Sequence, residues 1–535
     1  MTDPLLSLAP DLDRDAVVRW QERLAAHLLG GGLLLAVLAA LPTAPTDLDR
    51  HQLPKETVVH LATWLAVALL RPGMGSLSRA ARLGLALLLG ATLASAAFAD
   101  NPWLAFRAGS LTLTGAAALL AAHQLATRGL GGVLLAWLGG AAFIGTLTGL
   151  AQAYGLQLPN FATTRLPGGS FGNRNFLAHL AAIALPIIAL LAVTARRSIG
   201  ALAAAAAGGA LVGAIVLTRS RAAWLAAAAG IGVVVVSLLL ARRRGALPVA
   251  TARVAMLGFA LVIGPLLALT LPNDLNWRSD SPYAETLSGI ANTQEGSGRG
   301  RVIQYRNTLE LAAAHPIVGV GPGNWPLRYN EVAPPNDPTW VWGDVIPINP
   351  WPSSDWMALI SERGIIALAG SLLLGLALAW RAFGRLQRAG DDALRGAAAL
   401  GVLTATAVVG AFDAVLLLPV PLLFVALAIG ALASTTPFPM ESVAPSRWRA
   451  ALPLVLMVVA LRSVEQTAAY VVAGSGRATG RMVWAARLDP TSYPLRIALA
   501  TRLPCARARS HARAAMALAP NWPASRNAAA RCGVR

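Results

Sequence analysis

Charge is scarce in this chain. Of its 535 residues only 13% are charged and 56% are hydrophobic, whereas a soluble domain carries roughly 25% charged residues. That shortage excludes an ordinary soluble enzyme. Many apolar runs approach the roughly 20 residues needed to cross a bilayer, so the chain reads as an all-α polytopic membrane protein. Lysine is almost missing. Lys55 is the only one, and the net charge of +19 is almost wholly arginine. No compact basic segment interleaves with aromatics, so no nucleic acid partner is expected. Cysteine is limited to Cys505 and Cys532. Residues 1–21 are polar with scattered apolar positions and lack a signal-peptide pattern, so the first span is expected to act as the targeting signal. No ATP-binding loop is present, and "GVGPGN" neither follows a strand nor opens a long helix, as a nucleotide fingerprint would.

The apolar runs place thirteen spans, at about 24–42, 57–70, 78–98, 104–124, 130–152, 175–195, 198–217, 222–241, 250–271, 356–379, 394–415, 419–435 and 450–471. Arginine in short loops sets the orientation. Arg71, Arg79, Arg82, Arg128, Arg196, Arg197, Arg242, Arg243, Arg244, Arg381, Arg385 and Arg388 all fall on one side if the N-terminus is cytoplasmic. An odd span count then puts the C-terminus in the periplasm. The domains expected are a cytoplasmic segment 1–23, spans one to nine over 24–271, a large periplasmic loop over 272–355, spans ten to thirteen over 356–471, and a periplasmic tail over 476–535. Ala- and Gly-rich helices such as 198–214 suit close helix packing.

Arginines at the outer face run against that charge bias: Arg165, Arg174, Arg219, Arg221, Arg278, Arg299, Arg301 and Arg306. They read either as an anion-binding cluster or as structural ion pairs. Four motifs share this face. In "GGSFGNRNFLAHL", Asn175 and His179 are four apart and share a helix face, while Asn173 suits a helix cap. "LTRSRAAWLA" carries Arg219 and Arg221. "GRGRVIQYRNTLELAAAHPIVGVGPGNW" predicts an amphipathic helix over about 300–315, ended by His315-Pro316. "NPWPSSDWMALISERGIIAL" leads from polar Ser353 and Asp355 into an apolar span holding Glu362. Asp355 can act as a base at the membrane mouth or cap the helix. Glu362, seven residues on, shares nearly the same face and sits roughly 10 Å deeper, where pairing with an arginine is its simplest reading. Trp277, Trp325, Trp340, Trp342 and Trp351 can stack on sugars or anchor the loop at the interface. Asp413 and the pair Arg462 and Glu465 pose the same question as Glu362.

In order and spacing, over about residues 140–435, these motifs resemble those of the O-antigen ligase and O-antigen polymerase-like membrane glycosyltransferases. The resemblance implies a GT-C-like helical fold with a large periplasmic loop in a bacterial inner membrane. It implies a donor glycan on undecaprenyl diphosphate and an acceptor hydroxyl on a glycan, lipid A-core or protein, without metal, nucleotide or other cofactor. Arg221 matches the arginine of a Ser-Arg-Gly-like motif, with Ala222 in place of glycine. Arg301 matches the arginine opening the loop helix, with Tyr305 where tryptophan is common. Both are implied to hold the diphosphate, with Arg219 and Arg299 as further cations and Asn175, His179, Ser353 and Glu362 as substrate contacts. The fourth motif departs from the family: Ser353 stands where ligases carry histidine, which leaves Asp355 as the local candidate base. The rival reading is a non-catalytic polysaccharide-assembly subunit or a transporter of lipid-linked glycans, although no internal hydropathy repeat supports a transporter.

The tail repeats an end signal at Leu488-Asp489-Pro490 and Leu518-Ala519-Pro520, thirty residues apart. It resembles a short tetratricopeptide array. Cys505 would begin one helix and Cys532 end the next, antiparallel one, so a Cys505–Cys532 disulfide is expected in an oxidising compartment.

Overall fold

The computed structural model describes residues 9–74, 77–243, 251–289, 292–334, 337, 339, 350–433 and 447–534. Trp340, Trp342 and Arg244 lie outside the described residues. Within them the chain is helical, with no β-strand. In chain order the helices are α1 (Ala9–Leu38), α2 (Asp47–Leu70), α3 (Arg79–Ala97), α4 (Pro102–Thr127), α5 (Gly131–Ala153), α6 (Arg174–Thr194), α7 (Ser198–Thr218), α8 (Arg221–Arg243) and α9 (Thr251–Thr270). The long loop holds α10 (Pro282–Ser288), α11 (Gly296–Ala314) and α12 (Trp325–Arg328). Then follow α13 (Asp355–Arg385), α14 (Asp391–Phe412), α15 (Pro419–Leu432) and α16 (Arg447–Ala473). The tail is α17 (Thr479–Leu488), α18 (Tyr493–Arg502), α19 (Cys505–Leu518) and α20 (Pro523–Arg531).

Among the described residues, 11 helices are long and apolar enough to cross a membrane: α2 to α9, α13, α14 and α16. This is a multi-pass membrane protein. Helices α1 and α15 occupy the two remaining span positions read from the sequence, α15 with 14 residues. Helix α2 begins ten residues before the expected start of its span. Thr46 caps it by accepting from the Asp49 amide, and Asp47 and Asp49 lie in its first turn, where carboxylates favour the positive helix end.

Packing follows side-chain size. Helix α6 is the hub, with 83% of its most apolar window buried, against 11% for α9 at the edge. Phe259 and Val262 on α9 point outward, as a lipid-facing helix requires. Helices α7 and α9 touch backbone to backbone: a Cβ on Gly264 would lie 2.0 Å from the Gly209 carbonyl oxygen. Any side chain there would force the helices apart. The single lysine serves the α1–α2 corner. Lys55 is 1% exposed, and its Nζ donates to the carbonyls of Ala36, Val37 and Ala39 at 3.2, 3.1 and 2.5 Å. Those carbonyls lie at the end of α1, where no intrahelical donor remains.

Helix α13 is broken at Gly364, whose φ of 76° lies in the left-handed region. The break leaves backbone groups without helical partners, and the glycine-rich turn after α11 supplies two donors and an acceptor. Val320 N donates to Ser361 O, Gly321 N to Glu362 O, and Ile365 N to Pro316 O, each at 2.9 Å. A Cβ on Gly364 would sit 1.9 Å from the Ile317 oxygen. So "GVGPGN" is a splint for a broken helix, which is why it lacks the phosphate-loop context.

The tail packs back on the loop. Tyr493, Ile497, Ala515 and Trp522 share an apolar cluster with Leu311, Val320, Trp325 and Tyr329. Asn101 Nδ2 donates to Leu518 O at 2.5 Å, and Asn330 Nδ2 to Asn521 O at 2.5 Å. Cys505 at the start of α19 and Cys532 after α20 form a disulfide, with Cα atoms 5.2 Å apart.

Candidate active site

The end of the bundle that carries the long loop encloses a cavity of about 1360 Å³. Its walls come from α2, α4, the 164–176 segment, the α7–α8 corner, α11, the 350–353 segment, the α14–α15 connection and the tail. Loop and tail therefore close one chamber, although 163 residues separate Thr339 from Arg502 at its rim.

One wall is cationic. Arg165, Arg174, Arg219, Arg221 and Arg301 line the chamber together. The α7–α8 corner places two of them. Arg219 takes a left-handed backbone conformation with φ of 54°, which turns the chain from α7 into α8 and puts Arg221 at the first turn. Arg221 donates to Gly289 O and, at 2.6 Å, to Ser297 Oγ. The Arg301 Nε is buried and has no hydrogen-bond partner among the described residues. No carboxylate lies within ion-pair reach of Arg174, Arg221 or Arg301 among the described residues; Arg219 alone of this group meets one, Glu285 at 3.6 Å. Arg174 and Arg219 both lie over the Trp277 ring, each 4.9 Å from its centroid. An indole shared by two guanidinium groups offsets part of the repulsion between their like charges.

Beside these arginines sits a carboxylate. Asp413 ends α14 and faces the chamber. Its Oδ2 is 3.4 Å from Asn175 Nδ2 and 3.9 Å from His179 Nε2, while Oδ1 accepts from Ala414 N at 2.8 Å. His179 is fully interior, with Ser220 Oγ 3.4 Å from its Nε2. Tyr305 ties α11 to this corner: its hydroxyl lies 2.6 Å from Ser353 O and 2.7 Å from Ala411 O. Burial pushes the Tyr305 hydroxyl up to about 12, so it stays protonated at neutral pH.

Several expected site residues fall elsewhere. Asp355 does not line the chamber. Its Oδ1 accepts from Val415 N and Leu416 N at 2.9 and 3.1 Å, and its Oδ2 from Leu416 N at 2.9 Å, so its carboxylate fastens the α14–α15 connection. Nor is it the helix cap. Ser354 fills that position, accepting from Met357 N and donating to Gly410 O at 2.9 Å. Arg299 is exposed and off the cavity wall, because two residues along a helix from Arg301 turn its side chain to the opposite face. Arg306 also points outward and meets Glu310 at 3.6 Å. Glu362 does line the chamber but makes no close ion pair with an arginine among the described residues; the backbone amides of Gly323 and Trp325 hold its carboxyl. Ser353 does line the chamber, anchored through its backbone: its N donates to Gln304 Oε1 at 2.8 Å.

The opposite wall is built from paired groups. Arg107 meets Glu56 through Nε at 2.9 Å and Nη2 at 2.8 Å. Asp489 on this wall is met from behind at 2.5 Å by Arg462, which does not itself line the chamber and also meets Glu465 at 2.8 Å. From the tail, Met482, Asp489, Thr491, Ser492, Tyr493 and Arg502 reach the chamber. Motif reading missed the placement of Asp413 and all of the tail's contribution. Only the rarity of an acid at a span end signalled Asp413.

Residues 206–372 match the family model described as O-antigen ligase. The match runs from α7 into the second half of α13 and includes Arg219, Arg221, Arg301, Ser353 and Glu362. It is narrower than the resemblance over 140–435 and leaves out Asn175, His179, Asp413 and the tail. A search of curated proteins finds no match.

Proposed function

We propose that this multi-pass membrane protein, whose residues 206–372 match the O-antigen ligase family model, moves a glycan from undecaprenyl diphosphate to an acceptor hydroxyl at the periplasmic face of the inner membrane. The single observation that carries the reading is the uncompensated cationic wall, with the buried Arg301 Nε unpartnered beside Arg221 in a chamber of about 1360 Å³. Half-buried cations without a carboxylate nearby leave room for an anion, and a diphosphate supplies it through charge-assisted, often bidentate bonds.

In the reaction the acceptor oxygen bonds to the anomeric carbon, and the bond from that carbon to the phosphate oxygen breaks. Polyprenyl diphosphate leaves with the electron pair. Arg221 and Arg301 stabilise the charge that grows on it. The acceptor proton goes to Asp413, which Asn175 orients at 3.4 Å. Tyr305, protonated, holds the Ser353 segment against Ala411, two residues from that acid. Asp413 thus takes the role that sequence reading gave to Asp355, and Ser353 borders the chamber without acting as base.

In this reading the N-terminus is cytoplasmic, the loop and tail are periplasmic, and the tail is a short tetratricopeptide-like element that walls the acceptor side. The test uses a deletion strain carrying wild type, Arg301→Ala or Asp413→Asn, with surface and lipid-linked glycans compared. Loss of glycan transfer in both variants, at normal protein level, is expected. Normal glycan in both defeats the assignment. Accumulated single lipid-linked units indicate a polymerase, and long unattached lipid-linked chains indicate a ligase. Lipid-linked glycan held by the purified protein, with wild-type transfer in neither variant nor parent, would favour a non-catalytic carrier.

A further inference from the structure

The tail is charged unlike the rest of the chain. From Gly476 to Val534 it carries ten arginines and a single acid, Asp489. That acid is 3% exposed and already meets Arg462 of α16 at 2.5 Å. None of the ten arginines comes within ion-pair reach of a carboxylate among the described residues. Nine of them are exposed, and Arg496 is half-buried. With the tail in the periplasm, the charge bias of membrane topology works against such a run, so topology does not account for it.

The last three helices gather these arginines into a track that begins at the chamber. Arg502 ends α18 and lines the chamber wall. Arg531, at the end of α20, donates to the carbonyls of Thr501 and Leu503 on either side of Arg502. The Cys505–Cys532 disulfide holds the end of α20 against the start of α19, which brings Arg507 beside them. Arg509 and Arg513, four apart, continue along one face of α19. Arg526 on α20 donates from Nε to Pro520 O at 3.0 Å. These carbonyl contacts fix Arg502, Arg526 and Arg531 without neutralising them, since a helix end carries only roughly half a charge.

The surroundings of the track separate two kinds of anion. A surface that lies on a bilayer pairs basic side chains with exposed apolar ones that insert between lipids. Helix α17, next to the last span, has that pairing: Trp484 is 61% exposed, with the Arg487 guanidinium 4.7 Å from its ring centroid. Among the described residues of α18, α19 and α20 no large hydrophobic side chain is exposed. Their arginines face water with nothing to insert, which suits a soluble polyanion and not a lipid surface.

We infer that the arginine track of α18, α19 and α20 binds an anionic glycan, a sugar chain carrying carboxylate or phosphate groups, and leads it to the chamber at Arg502. Guanidinium forks match both groups, and a row of like charges without counter-charges concentrates a polyanion near the surface. Resting on the glycan-transfer reading above, this names the substrate class: the glycan handled in the chamber is acidic.

The test is direct binding to the purified full-length protein. The probes are oligomannuronate, which carries carboxylates, and a phosphorylated oligomannose, with neutral oligodextran of equal length as control. At least one acidic probe is expected to bind at least tenfold more tightly than dextran, and to weaken as salt rises. The triple variant Arg507→Gln, Arg509→Gln, Arg513→Gln, all at exposed positions, should weaken that binding at least tenfold, and the same three changed to lysine should restore part of it. Arg306→Gln, an exposed arginine off the track and paired with Glu310, should leave it within twofold, as should Arg301→Ala. Equal binding of dextran, or unchanged binding in the triple glutamine variant, overturns the inference. So does loss in Arg301→Ala, which would place the glycan in the chamber alone, or displacement by equal concentrations of dioctanoyl phosphatidylglycerol, which would mean a lipid-headgroup site. These isotherms do not depend on turnover, so a failure of the transfer reading would appear separately, as normal surface glycan in Arg301→Ala cells.

Discussion

The chamber has two walls built from the same residue type with opposite bookkeeping. On the α2–α4–α16 side, Arg107 and Arg462 are matched to carboxylates at 2.5–2.9 Å. On the α6–α8–α11 side, Arg174, Arg221 and Arg301 meet none among the described residues. Arginine alone therefore signals nothing. What differs between the walls is whether a carboxylate stands beside the arginine, with Arg219, paired to Glu285, and Arg502, held by the Gly476 carbonyl, as the exceptions on each side. The two populations are indistinguishable as letters in the sequence.

Substitution should separate the walls by what fails. The largest effect is expected from Arg107→Ala. It leaves Glu56, which is 2% exposed, with only His60 at 3.8 Å, and should cost about 3 kcal/mol of stability. A marked drop in the thermal midpoint of the purified protein is the readout. Next comes Arg301→Ala, with the reverse signature. Transfer falls at least about 100-fold, as when one charge-stabilising donor is lost, while the thermal midpoint holds or rises. Equal destabilisation by both variants would erase the distinction. Asn175→Ala should lower transfer about tenfold, a part of the usual general-base contribution, because Asp413 loses its 3.4 Å contact, while the thermal midpoint holds. A matching fall in the midpoint would make Asn175 merely structural. Ser353→Ala should change transfer by no more than about twofold, because its anchoring contacts run through its backbone N and O. A large loss there would return the base to the 353–355 segment.

The spans were legible because each is a local pattern of apolar length. All eleven long apolar helices coincide with runs read from the sequence. Arg221 and Arg301 were legible through ordered motifs. Asp413 was not, because its partner Asn175 lies 238 residues away and nothing local to either predicts their meeting. Asp355 was misread for the complementary reason. A lone acid at a membrane mouth looks free until the three backbone N–H bonds from residues 415 and 416 are seen. Glycine at position 364 gave no hint of a broken helix, because the conformation depends on the distant turn over 316–321. The tail's place in the chamber depends on how Tyr493 and Trp522 pack against Trp325 and Tyr329, which a repeat pattern cannot convey.

Lys55 has a practical consequence. It is the sole side-chain amine in 535 residues, and three carbonyl oxygens enclose it. An amine-reactive reagent meets no lysine on the folded surface, so any side-chain label reports the opening of the α1–α2 corner. A lysine-specific protease likewise has one target, hidden until that corner unravels. The chain carries its own unfolding probe at one defined position, with no residue to engineer.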